Sequence, residues 1–281
     1  MFAGATMCAC ALLAMSAGCS SGTAHDDPAQ KPAGADAEGS PPVDLSFSQL
    51  SSQVGTNEGL LRVVNVGPAD LTVTGVGIDW SGYGPRFVQS KDTLLPPERT
   101  VDFPINLPDP DCDAGSGELR GVVELGGTTI SQALEQSGEA LLRRVRSQAC
   151  EQQFVEDRVE IGYDDAWHTT GAGDGTSVVG HLLLERRDSA APIRLTNVVG
   201  SVLYDLVLPG RSELPPSASA ARLPLQIVPG NRCDEHARSQ VTAPFAFRLT
   251  LRIGDDVVSI PIPPPAEVQV QVTELLEAAC T

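Results

Sequence analysis

Aromatic residues make up only 4% of the 281-residue chain, with just two tryptophans, so few large rings are available for a core or for a stacking site. Aliphatic packing must carry the fold. Positive charge is also scarce. Nineteen basic residues face 36 acidic ones, for a formal net charge of −17, and only Lys31 and Lys91 are lysines. A field of that sign opposes phosphate backbones, so nucleic acid is not expected as a partner. Catalytic signatures are missing as well. There is no Gly-x-Ser-x-Gly elbow, His-Glu-x-x-His helix, P-loop or dinucleotide fingerprint, and the four histidines are scattered at 25, 168, 181 and 236. The expectation is a protein that is not an enzyme and holds no cofactor.

What the chain does contain is an internal repeat. Leu95-Pro96-Pro97, an alternating stretch through Phe103-Pro104-Ile105, and Cys112-Asp113 recur as Leu214-Pro215-Pro216, Leu223-Pro224-Leu225 and Cys233-Asp234. Each copy ends in a second cysteine, Cys150 and Cys280. The length suits two domains, and the repeat sets their expected bounds at 43–152 and 153–281.

Residues 1–18 are uncharged and apolar around Ala11-Leu12-Leu13-Ala14, long enough for a signal-peptide core and too short to remain as a membrane span. The following Ser16-Ala17-Gly18-Cys19 resembles the lipobox of bacterial lipoproteins, although Ser16 stands where an aliphatic residue is usual and no basic residue precedes the apolar run. The resemblance implies lipidation of Cys19, attachment to the membrane through it, and a location on the outer face of the cell membrane. An ordinary cleaved signal near Gly22-Thr23-Ala24 would instead leave a secreted protein. Residues 19–42 combine Cys19 with a tether rich in Ser, Gly, Ala, Asp and Pro, which cannot bury enough to fold and would reach about 25–30 Å. His25-Asp26-Asp27 within it reads as solvated charge.

Of the seven cysteines, Cys8 and Cys10 leave with the signal and Cys19 is acylated. Four remain. The repeat selects Cys112 with Cys150 and Cys233 with Cys280 among three possible pairings, since equivalent positions should bond equivalently. An exported compartment favours these disulfides over a metal site on Cys233 and His236.

Two-residue hydrophobic periods occur at Val43, Leu45 and Phe47, at Val101 to Leu107, at Leu223 to Ile227, and at Phe245 to Ile253, with Gly and Pro clusters between them. Helical spacing occurs mainly at Glu139–Cys150 and Glu274–Cys280. The fold class expected is all-β, built of antiparallel sandwiches, and the pattern resembles tandem immunoglobulin-like modules, each with one disulfide and a short C-terminal helix. Immunoglobulin domains pair cysteines across their sheets beside a core tryptophan. Here the first cysteine follows a Pro-rich turn and the second closes the module.

Candidate sites are few. Asp109, Asp111 and Asp113 with Gly115 start like a calcium loop, but Ala114 replaces the required glycine and Arg120 the bidentate glutamate, so an acidic turn is expected and no metal. Trp80 and Tyr83 could present rings to a sugar or peptide, or pack beside a strand. The segment Tyr163 to Ser177 is the best binding loop, with Trp167, His168 and Asp174 as its candidate residues. Metal chemistry would require His168, His181 and His236 to converge.

As a whole the chain resembles uncharacterised secreted or lipid-anchored proteins of GC-rich Gram-positive bacteria. That resemblance implies location and fold and transfers no site. The expected role is a surface protein presenting two modules to a protein or a cell-envelope polymer, with a structural spacer or accessory subunit as the alternative.

Overall fold

The computed structural model describes Pro41 to Cys280 except Ser116, Ser189, Arg211, Asn231 and residues 233–238. The signal segment, Cys19, the tether up to Ser40, Cys233 and His236 lie outside the described residues.

The first half begins with β1 (Val43–Ser48), β2 (Glu58–Asn65), β3 (Leu71–Asp79), β4 (Phe87–Leu95), β5 (Thr100–Asn106), β6 (Arg120–Leu125) and β7 (Thr128–Ala133). They form two antiparallel sheets, ordered β1-β2-β5 and β4-β3-β6-β7. Alternation decides which side chains go in. Phe47, Leu61 and Phe103 share one register row, and all three are buried. With Val73, Val76, Ile78 and Val123 of the other sheet they form one continuous apolar cluster.

The second half repeats this order. Its strands are β8 (Val159–Tyr163), β9 (His168–Thr170), β10 (Ser177–Arg186), β11 (Ile193–Val199), β12 (Tyr204–Val207), β13 (Glu213–Leu214), β14 (Ala220–Pro229), β15 (Arg248–Ile253) and β16 (Asp256–Pro261). The sheets run β12-β14-β10-β8, with β9 beside β10, and β13-β11-β15-β16. Thus β8, β10 and β14 take the places of β1, β2 and β5, and β13, β11, β15 and β16 those of β4, β3, β6 and β7. The repeated signature falls on matching strands: Leu95 closes β4 as Leu214 closes β13, and Pro104 lies in β5 as Pro224 lies in β14. A second cluster fills this half.

The prolines fit because neither position needs its N–H. β5 is an edge strand. Lys91 Nζ donates to the outward Pro104 carbonyl at 2.9 Å, and Gln89 donates to Asn106 O at 2.8 Å. Pro224 lies opposite His181, beyond Gln226, the last β14 residue paired with β12. A missing donor costs no ladder bond at either place.

Two helices follow the two sets of strands, α1 (Gln136–Glu156) after β7 and α2 (Ala266–Ala279) after β16. Both exceed the short helices expected. α1 is 21 residues long and runs through positions 152 and 153, where the boundary between halves was expected. It buries Leu142 and Val145 in the first cluster and Val155 in the second. Gly138 is required near its start, because a Cβ there would lie 2.9 Å from Phe47 N. The strand expected from Phe245 begins only at Arg248, since the chain turns at Phe245–Phe247 and stacks Phe245 on Tyr204 with ring centroids 5.8 Å apart.

Cys112, in the connection between β5 and β6, is bonded to Cys150 on α1. Cys280, at the end of α2, is also disulfide-bonded. Its partner lies outside the described residues.

Candidate functional site

The loop between β8 and β10 carries the three candidates Trp167, His168 and Asp174, and it sends its largest side chain inward. Trp167 is only 7% exposed and packs over Gly180 of β10, where a Cβ would come within 2.4 Å of the indole. Tyr163 lies against the same indole at 5.4 Å and donates its hydroxyl to Ile262 O at 2.8 Å. Burial pushes that phenol well above its usual range. His168 is exposed on the short β9, and Asp174 lies on the 3-10 turn Gly173–Gly175. The loop therefore presents His168, whereas Trp167 belongs to the core.

The charged centre of this region is Asp164, one of the acidic residues the sequence gathers in this loop, joined to a partner that local spacing does not mark. Asp164, following β8, is buried. It is ion-paired to Arg222 of β14 and accepts the backbone N–H of Ala166 at 3.3 Å and of His181 at 3.4 Å. His181 Nδ1 lies 3.2 Å from the carboxylate, within ion-pairing reach but outside hydrogen-bond alignment. Burial pulls the Asp164 pKa upward, but Arg222 and the two amides outweigh it and hold the carboxyl below its ordinary value. The group is thus an ionised anchor for the start of the loop and holds no proton to donate near neutral pH.

A second cluster organises the first half. Trp80 and Tyr83 are buried edge to face, with centroids 5.5 Å apart. Neither ring is presented to solvent. The guanidinium groups of Arg143 and Arg146 on α1 lie 5.1 and 5.4 Å from the Trp80 ring. Arg146 donates to the carbonyls of Gly82, Asp111 and Ala114. In the acidic segment Asp109–Asp113, the Asp111 carboxylate accepts the N–H of Asp113 and of Ala114, which closes a turn on itself. Among the described residues no three His, Cys, Asp or Glu side chains gather as ligands for a metal.

Two surface hollows lie elsewhere among the described residues. One of about 270 Å³ lies where α1 meets β8 and β16, with Val155, Val159, Ile161 and Ile260 along it. The other, of about 470 Å³, lies beside β13 and is lined by Arg194, Gly210, Ser212, Glu213 and Pro215.

No protein-family model matches this chain, and no curated protein does. Solved structures give distant resemblances. A red sea bream transglutaminase is 11% identical, with 80% of this chain and 32% of that one covered at a TM-score of 0.22. An exo-chitosanase of Amycolatopsis orientalis is 11% identical over 79% of this chain and 26% of its own, at 0.21. A protein of unknown function from Porphyromonas gingivalis W83 is 15% identical over 80% of this chain and 99% of its own, at 0.22. The chain thus spans about a third of the transglutaminase and a quarter of the chitosanase. At these TM-scores the resemblances carry no argument about fold or activity.

Proposed function

We propose that this chain is a non-enzymatic, membrane-anchored extracytoplasmic lipoprotein whose two immunoglobulin-like modules bind a protein or a cell-envelope polymer. The observation that carries the reading is the recurrence of one strand order in both halves, sheets β1-β2-β5 and β4-β3-β6-β7 against their counterparts in the second half. Each half has its own apolar cluster, an arrangement that suits a module serving as a scaffold for surface contacts. The segment Ser16–Cys19 supplies the anchor in this reading. A structural spacer is the second reading, favoured by α1, which packs against both halves.

Cys19→Ala moves the protein from the membrane fraction to the soluble fraction in detergent partitioning. Equal partitioning of variant and wild type overturns the anchoring.

A further inference from the structure

Arg194 of β11 and Arg252 of β15 are direct ladder partners, which brings their Cβ atoms to about 4.5–5.5 Å. Both side chains are exposed, because the alternating residues Ile193, Leu195, Leu251 and Ile253 fill the core. The register row continues to Glu213 on one side and Val257 on the other. Arg194 pairs with Glu213 at 2.9 Å. Arg252 has no ion pair among the described residues.

Like charges directly opposite in a ladder are destabilising. Their presence stands out in a chain with 36 acidic residues, which elsewhere supply partners to Arg62, Arg86, Arg120 and Arg187. In the first half the matching row holds Thr72 opposite Leu94, which carry no charge. Among the described residues the other like-charged ladder pair is Glu185 opposite Glu160, where Arg187 bonds Glu160.

We propose that Arg194 and Arg252 form the docking point for a carboxylate on a protein partner, carried by an acidic side chain flanked by aliphatic residues. A carboxylate between two guanidinium groups removes their repulsion and gains charge-assisted hydrogen bonds from both. Val257, 53% exposed at the end of the same row, meets an aliphatic neighbour of that carboxylate. Glu213 closes the row against a second anion, and the net charge of −17 repels polyanions, so an isolated carboxylate fits and a nucleic acid or anionic lipid surface does not. The inference rests on the binding-module reading and gives it a surface and a ligand class.

The test is an NMR titration of the intact chain in uncharged detergent with acetyl-Val-Glu-Val-amide and with its Gln counterpart. Saturable shifts at β11 and β15 are expected for the Glu peptide, with about tenfold weaker binding of the Gln peptide, since one charge-assisted contact pair is lost. Arg252→Gln abolishes this difference and leaves Tm unchanged or raised, because it also removes the like-charged neighbour. Equal responses to the two peptides, no response to either, or a Tm lowered by Arg252→Gln overturns the proposal. None of these outcomes touches the Cys19 anchoring result, so the two readings fail separately.

Discussion

Glu151 on α1 accepts the backbone N–H of Ser259, 108 residues later on β16, at 3.3 Å. β16 is the edge strand of its sheet, and its outward N–H groups would otherwise face solvent or another strand. The same helix buries Leu142 in the first cluster and Val155 in the second, so one element closes an edge of the second half while being packed into the first.

A fragment starting at Gln136 melts several degrees above one starting at Glu156, because the shorter one loses Glu151, Phe154 and Val155. Val155 alone represents about 1.6 kcal/mol of buried methylenes, and each kcal/mol shifts Tm by roughly 4–8 °C in a domain of 60–100 residues and less in a larger one. Calorimetry of the two fragments checks this. Coincident melts would mean that the C-terminal turns of α1 contribute nothing to the second half.

Replacing Cys150 by Ser removes the bond that ties the β5–β6 connection to α1. Chemical denaturation should show a loss of about 2–4 kcal/mol in the chain-entropy account. Under reducing conditions wild type and variant then unfold at the same urea concentration.

The Asp164–Arg222 pair makes a pH-dependent contribution. Asp164 titrates below its unfolded value in the native state, so its stabilisation is complete above the usual Asp pKa of about 3.9 and fades as pH falls through the lower native value. Asp164→Asn should lower Tm at pH 7 and narrow the gap to wild type as the pH drops below about 4. Arg222→Ala costs about 1–3 kcal/mol by leaving the buried carboxylate short of its main partner. The lower end applies, since Arg222 is itself 59% exposed.

Gly180→Ala forces a methyl group into the Trp167 ring. A destabilisation of about 1–3 kcal/mol follows from overpacking, together with a red shift of tryptophan emission as the indole is displaced toward water. An unchanged spectrum and Tm would place the indole away from β10.

The strands were legible wherever one face is buried, as at Val43-Leu45-Phe47, because a two-residue period leaves no other fold for that segment. The repeat was equally legible where Leu95 and Leu214, and Pro104 and Pro224, lie on matching strands. α2 was mostly hidden. Val268, Val270 and Val272 alternate as in a strand, yet burial of Val268, Val272, Leu275 and Leu276 at i, i+4, i+7 and i+8 selects the helix over β-branched preference. Ser137 and Gly138 likewise concealed the start of α1, where close approach to Phe47 decides the residue. The Asp164–Arg222 pair spans 58 residues and depends on how β8 and β14 flank β10, which no local spacing encodes. Trp167 read as a loop residue because the vacancy it fills belongs to Gly180, thirteen positions on.

The side chains of Lys91 and Gln89 already occupy the outward carbonyls of β5, and Pro104 offers no amide there. An approaching strand from a neighbouring copy finds no donor at Pro104 and finds the carbonyls of Pro104 and Asn106 already taken. At high local concentration the first half therefore resists sheet-to-sheet polymerisation at the Pro104–Asn106 end of this edge without any loss of ladder bonds inside the protein, a form of colloidal stability set by three residues.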